Sequence, residues 1–183
     1  ERSMGMKTIK IVGVIACVVL IVVATFVWSG LYPIGADVPH YRATHWLLET
    51  LRDRAINRAD REITLPQLDD ANMLLSGGAD YNDMCASCHL RPGKRESDFS
   101  VGLYPSPPDL TARSSTDRGR EDEARRQFWI IKHGIKASGM PAWGKTHDDD
   151  RIWAMVAFLR QLPELSPEQY QILTARGEAP MPM

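Results

Sequence analysis

The stretch Cys85-Ala86-Ser87-Cys88-His89 decides how this sequence is interpreted, and the rest of the chain is read outward from it. Two cysteines three positions apart lie on one turn of a helix, so both thiols reach the same side. The histidine that follows presents an imidazole beside them. Cys-x-x-Cys-His is the attachment signature of c-type haem, in which Cys85 and Cys88 bind the two vinyl groups and His89 is the proximal iron ligand.

A Cys-x-x-Cys pair also occurs in dithiol redox sites and in half of many zinc sites. This chain has three cysteines, and the third, Cys17, lies far away in an apolar run. No second Cys or Cys/His pair therefore exists to complete a tetrahedral zinc site. A thioredoxin-like site needs a βαβ context, whereas the flanks of this motif have helical periodicity. The single motif predicts one covalently attached haem c.

The surroundings of the motif resemble the class I c-type cytochromes. Gly77, Tyr81 and Cys85 recur at every fourth position, which places them on one face of the helix that leads into the motif. A partner helix is predicted over 150–162, and its Phe158 stands where that family has an aromatic residue before a leucine. The resemblance implies an all-α fold in which Gly77 faces Phe158 and lets the helices cross closely, and in which Tyr81 packs in the crossing beside the haem.

The resemblance also implies an axial methionine from a loop that follows the motif. Met140 lies in Ser-Gly-Met-Pro-Ala-Trp-Gly over 138–144, where Gly139 and Pro141 favour a non-helical backbone that projects the sulfur. The implied ligand set is His89 and Met140, and a thioether raises the haem potential relative to a second imidazole. The competing candidates are His133, His147, Met73, Met84 and Met155.

Two further site residues are assigned from the resemblance alone. The segment 105–110 resembles the family's proline segment on the proximal side, where a backbone carbonyl accepts the Nδ1–H of the histidine and fixes its tautomer. Pro108 is the expected acceptor, with Pro107 as the alternative. Trp143 resembles the aromatic residue that approaches a haem propionate, although ordinary pocket lining explains it equally well.

An uncharged apolar block near the start predicts a membrane anchor. Residues 11–28 carry no charge, and at 1.5 Å per residue they span roughly 27 Å, close to a hydrocarbon core of about 30 Å. Lys7 and Lys10 precede the block and no basic residue follows until Arg42, so the positive-inside rule puts the N-terminus in the cytoplasm. A cleaved signal peptide or a buried core helix fits such a long charge-free run less well.

The segment 37–60 is predicted to contain an amphipathic helix of about five turns. Leu47, Leu51 and Ala55 recur at i, i+4 and i+8, and arginines and acidic residues fill the other turns. This stripe packs on the haem domain or on lipid headgroups, or else it docks subunits of a membrane complex, and the sequence leaves the choice open. His40 and His45 lie here without the cysteine or carboxylate cluster that a metal site needs.

These features predict an order of domains and a location. The expected ranges are an anchor at 1–36, a linker helix and extended connection at 37–71, a haem domain at 72–163 and a tail at 164–183. Haem is attached to c-type cytochromes on the side away from the cytoplasm. The expected location is therefore the bacterial inner membrane, crossed once, with the haem domain in the periplasm.

Composition and ligation together limit the function. A formal net charge of -1 provides no basic field for nucleic acid, and 44% hydrophobic residues are ordinary for a globular chain. With both axial positions of the iron filled, the resemblance implies electron transfer instead of catalysis. The expected partners are the bilayer, a quinol-oxidising complex or dehydrogenase as donor, and a terminal oxidase or reductase as acceptor. The alternatives are a haem-based gas or redox sensor, in which Met140 is displaced, and a peroxidase-like enzyme with a vacant distal site.

Overall fold

The computed structural model describes residues 2–112 and 119–175. Within these ranges every regular element is helical and no β-strand occurs, so the all-α prediction is confirmed. The α-helices are α1 (Arg2–Ser29), α2 (Arg42–Ala59), α3 (Ala71–Met84), α4 (Ala86–His89), α5 (Asp98–Gly102), α6 (Arg120–His133), α7 (Asp149–Leu159) and α8 (Pro167–Thr174). Single 3₁₀ turns lie at Asp60–Glu62, Trp143–Lys145 and Leu162–Glu164. The sequence suggests Thr116 or Asp117 as a cap of α6 and places Met181 and Met183 in a polar tail, and all four residues lie outside the described ranges.

Residues 1–40 form one compact unit, of which α1 is the main element. Its stretch Lys7–Ser29 has 23 residues and a mean hydropathy of 3.0, which is long and apolar enough to cross a membrane. Gly30, with a φ of 65°, ends the helix in the left-handed conformation that glycine adopts without strain. In the loop that follows, the Tyr32 hydroxyl lies 2.8 Å from Nδ1 of His40. His40 therefore has a polar partner within this unit.

The second compact unit, residues 41–183, is built on the crossing of α3 and α7. A Cβ at Gly77 would overlap the backbone carbonyl of Ala154, so the two helices approach closely enough to exclude any side chain there. The implied pairing of Gly77 with Phe158 is wrong. A Cβ at Gly78 would lie 3.0 Å from the Phe158 ring. Gly78 points about 100° away from Gly77 around α3, and Phe158 lies one turn beyond Ala154 on α7.

The core of this unit surrounds α7, in which every residue from Ile152 to Leu159 is buried. The helix ends at Leu159, three residues before the predicted end, and a 3₁₀ turn follows. From α6, Phe128 stacks on Trp153 with ring centroids 4.0 Å apart and planes 17° apart. From α3, Tyr81 packs on Phe158 with centroids 5.4 Å apart. These contacts bury the apolar faces of three helices in one core.

Helix α2 packs in the same compact unit as the haem motif. Ile56 is 2% exposed, and the Arg126 guanidinium of α6 donates to Asn57 Oδ1 and Asp53 Oδ1, each at 2.9 Å. The predicted boundary between a linker at 37–71 and a haem domain from 72 therefore does not separate two bodies. The division falls after His40, because α2 is held by side chains that reach it from a helix about seventy residues later.

Helix α8 lies where the sequence predicted a tail at 164–183, and that prediction is wrong for residues 167–174. Ser166 caps the helix, and its Oγ accepts from the backbone N–H of Gln169. Tyr170 is 2% exposed and donates from its hydroxyl to Asn82 Oδ1 at 3.1 Å. The packed part of the second unit therefore extends at least to Thr174, which is itself buried.

Candidate haem site

The Cys-x-x-Cys-His motif is positioned by the end of α3 and by the single turn of α4. The backbone N–H of Cys85 closes the last bond of α3 on the Tyr81 carbonyl at 2.9 Å. The Cys85 carbonyl then accepts from Cys88 at 3.1 Å and from His89 at 2.8 Å. Both thiols are free and partly buried. The two sulfur atoms and the imidazole thus lie on one helical turn, as their spacing requires.

Tyr81 holds the C-terminal end of this turn. Its hydroxyl is buried and donates to the Leu90 carbonyl at 2.7 Å, with the His89 carbonyl at 3.3 Å. Burial raises the pKa of Tyr81, so the hydroxyl remains a donor at physiological pH. Leu90 has a φ of 70°, which is a strained value for a residue other than glycine. The hydrogen bond from the Tyr81 hydroxyl holds the carbonyl of this strained residue in place. Tyr81 therefore acts on the backbone that carries the histidine.

The imidazole of His89 is oriented by the proline segment. Its Nδ1 lies 2.9 Å from the Pro108 carbonyl oxygen, and the His89 carbonyl accepts from the Leu110 N–H at 3.2 Å. A carbonyl can only accept, so Nδ1 carries the proton and Nε2 keeps its lone pair. Burial lowers the pKa of His89, and the hydrogen bond to Pro108 opposes part of this effect. The lowered pKa favours the neutral ring, which is the form that binds a metal.

The loop of Met140 has a defined backbone. The Met140 N–H donates to Ser138 Oγ at 3.2 Å, and its carbonyl accepts from the Ile135 N–H at 3.1 Å. Gly134, with a φ of 65°, leaves no room for a Cβ, which would lie 2.7 Å from the Pro141 backbone carbon. The Met140 side chain is partly buried and packs on the same core cluster as Cys85. The loop is thus fixed by its own turn and by the end of α6.

Trp143 begins the 3₁₀ turn after this loop and packs, partly buried, on the core. Its ring lies edge-on to His147, with centroids 5.3 Å apart, and its carbonyl accepts from the Thr146 and His147 N–H groups, each at 3.0 Å. These contacts place Trp143 in the turn that leads into α7. A role toward a haem propionate remains a proposal from the resemblance.

The environment of Cys85 differs from that of a catalytic dithiol. Burial, with smaller effects from Asp80 and Cys88, raises the pKa of Cys85 to about 12. Catalytic cysteines have lowered pKa values, because the thiolate is the nucleophile. In the described part of the chain, no cluster of three or more His, Cys, Asp or Glu side chains is arranged to hold a metal ion.

Two contacts that support the site were not foreseen from the sequence. Asp80, beside Tyr81 on α3, is 5% exposed and receives the Arg151 guanidinium at 2.5 and 2.8 Å, which joins α3 to the first turn of α7. The Ser97 hydroxyl donates to the Ser87 carbonyl at 2.5 Å and ties α5 to the motif. The Asp80–Arg151 contact has a signal in the sequence, which is an aspartate within an apolar helix face. A buried carboxylate requires a partner.

The donor set fits a covalently bound haem. Two thiols on one turn match two vinyl groups, an imidazole with a free Nε2 would serve as the proximal ligand, and a loop methionine would offer a thioether. The residues that would hold the group are Cys85, Cys88, His89 and Met140, with Pro108 orienting the imidazole.

Comparison with known proteins agrees with this geometry. Residues 72–159, from α3 through α7, match the family model described as cytochrome C oxidase, cbb3-type, subunit III. No curated protein and no solved structure matches the chain. The matched range contains the motif, the proline segment and the methionine loop, and it leaves out α1, α2 and α8.

Proposed function

Because residues 72–159 are a class I c-type cytochrome domain, we propose that this chain is a membrane-anchored monohaem cytochrome that transfers single electrons between membrane redox complexes. The observation that carries the proposal is the imidazole of His89, held through Nδ1 by the Pro108 carbonyl at 2.9 Å beside two thiols on one turn. When bound, the haem supplies reversible one-electron chemistry at its iron. The chain serves as a free carrier or as the cytochrome subunit of a larger complex.

Each site residue has one task in this proposal. Cys85 and Cys88 would hold the haem by thioether bonds, and His89 would bind its iron through Nε2. The Pro108 carbonyl keeps the ring in the tautomer that exposes Nε2. Met140 would supply a thioether ligand to the iron beside the imidazole of His89, and electron transfer requires no general acid or base. The role of the chain is therefore to fix the ligands and to exclude water.

Residues 7–29 anchor the cytochrome in the bacterial inner membrane. Lys7 and Lys10 stay in the cytoplasm, and the unit from residue 41 onward lies in the periplasm. Anchoring confines the carrier to the same surface as its partners and raises its effective concentration there.

The partners are redox proteins of that membrane. A quinol-oxidising complex or a dehydrogenase gives the electron, and a terminal oxidase or reductase accepts it. The description of the matched family, a subunit of an oxidase, supports membership of such a complex. Electron-transfer encounters use small interfaces, so a large apolar patch around the site is not required.

The covalent haem is tested on the full chain, produced in a bacterium with active cytochrome c maturation. After denaturing electrophoresis we expect the band to stain for haem and its mass to exceed that of the peptide by one haem. The C85S/C88S double variant should be colourless at the peptide mass, whereas C17S should keep the haem, since Cys17 lies in α1. A wild-type band without haem would refute the proposal. A C-terminal alkaline phosphatase fusion, active only in the periplasm, tests the topology separately.

A further inference from the structure

Helix α2 packs on the haem unit through its polar side and leaves its leucines in solvent. Asp53 and Asn57 accept hydrogen bonds from Arg126 of α6, and Ile56, the apolar residue of α2 that is buried, lies on the same side of the helix. On the opposite side Leu47 is 58% exposed and Leu51 is 64% exposed. An amphipathic helix normally buries its apolar stripe, and an exposed one marks a surface for an interaction.

The exposed stripe, here called the leucine face, consists of Leu47, Leu48, Leu51 and Ala55. Exposed Arg54 and Arg58 lie along the edge of the face that Leu47 forms, whereas Trp46, 66% exposed, lies on the other side of the helix. Leucines bordered by arginines are typical of helices that lie in the headgroup region of a bilayer. Arginine there pairs with anionic lipid phosphates.

The length of chain before α2 restricts where this face can be. The apolar helix ends at Ser29 and α2 begins at Arg42, so the twelve residues between them, at about 3.5 Å per step, allow no more than about 45 Å between the two helix ends. If α1 crosses the membrane as proposed, this connection keeps the face within reach of the bilayer whether or not a protein partner is present. A convex row of leucines also needs no shape complementarity on a fluid surface.

We propose that the leucine face of α2 lies in the headgroup region of the bilayer that α1 crosses, and so holds the haem unit against the membrane surface. This inference rests on the proposed anchoring by residues 7–29. It predicts that the rotation of the haem unit is restricted, because the unit then has two attachments to the bilayer and α2 is fixed to α6.

The test uses the haem-loaded full chain, in which Cys85 and Cys88 are taken up by the proposed thioether bonds, with Cys17 replaced by serine, placed as one chain per disc in nanodiscs of phosphatidylethanolamine and phosphatidylglycerol. A cysteine is introduced at L51C on the face, or at E49C on the side of the helix that faces away from it, reacted with a water-soluble maleimide polymer and followed by gel shift. Leu51 is exposed, so its replacement should not disturb folding. We expect L51C to react about tenfold more slowly than E49C, as burial of apolar side chains of this size favours the bound state by at least that factor.

Control samples separate the other outcomes. Equal rates at L51C and E49C would overturn the inference and leave the face open for a protein partner. Protection of L51C that appears only with two chains per disc would also overturn it, in favour of a second copy. Discs of phosphatidylcholine alone should weaken the protection, because the arginines lose their anionic partners. A cysteine at V19C reports the anchor: rapid reaction there would refute the anchoring itself, whatever happens at L51C.

Discussion

The α3–α7 crossing and helix α2 place their apolar residues in opposite ways. At the crossing, glycines allow backbone contact and every residue of α7 from Ile152 onward is buried. In α2 one isoleucine is buried while the leucines face solvent. The α3–α7 crossing holds the site together by close packing. Helix α2 is instead attached to α6 by Arg126 and leaves its leucines exposed. An apolar stripe in the sequence therefore does not by itself show that its residues are buried; the element that packs on the stripe must also be known.

The largest effect is expected where the backbones touch. G77A should destabilise the haem unit by about 3 kcal/mol or prevent its folding, because the added Cβ overlaps the carbonyl of Ala154 and neither helix can yield cheaply. The free energy of unfolding, from urea titration of the detergent-solubilised chain followed by circular dichroism, measures this. G102A is the matched control, since nothing lies within 4 Å of a Cβ there. Equal stability of the two variants would mean that the helices do not cross at Gly77.

Two substitutions within α2 sharpen the comparison. I56A should cost about 3 kcal/mol, because the side chain is fully buried and its removal leaves a cavity. L51A should change the free energy of unfolding by less than about 0.5 kcal/mol, as expected of an exposed position. The same urea titration measures both. A large loss in L51A with no loss in I56A would show that α2 packs through its leucines.

The smallest effect concerns the polar attachment of α2. Burial alone would raise the pKa of Asp53, but hydrogen bonds from Arg52 and Arg126 outweigh it and hold the pKa below its usual value. A lowered carboxyl pKa stabilises the folded state above the usual pKa of aspartate, and this contribution is lost as the pH falls through the lowered value. Because both partners are partly exposed, we expect less than about 1 kcal/mol.

Hydrogen exchange of the α2 amides measures that attachment. Protection relative to α7 should decrease as the pH is lowered through the acid range, after correction for the intrinsic exchange rate. D53N should have lower protection at neutral pH and little further change on acidification. If D53N retained the wild-type pH profile, the Arg126–Asp53 pair would not hold the helix.

The parts of the fold that depend on local chemistry were predictable from the sequence. The Cys-x-x-Cys-His turn is set by spacing, and Gly134 ends α6 at a positive φ. The family resemblance implied a carbonyl of the proline segment as the acceptor for His89, and the contact is formed by Pro108. Each of these features is determined by a few neighbouring residues or by a motif whose partner is known from the family.

The parts that depend on which surfaces meet were not predictable. Helical spacing placed Gly77 on the correct face of α3, but a shift of one position decides between Ala154 and Phe158. Helix α8 is two turns long and is fixed by Tyr170, which a composition of mostly polar residues does not reveal. The side of α2 that packs is chosen by Arg126, far along the chain.

The ligand set of His89 and Met140 is the central claim, and the absorption spectrum of the oxidised protein tests it most directly. M140L keeps the volume of the side chain and removes the sulfur. We predict that it loses the thioether-to-iron band at the red end of the spectrum and has a lower midpoint potential. M73L, which changes a methionine of α3, should keep both. Persistence of the band in M140L would contradict the assignment of Met140.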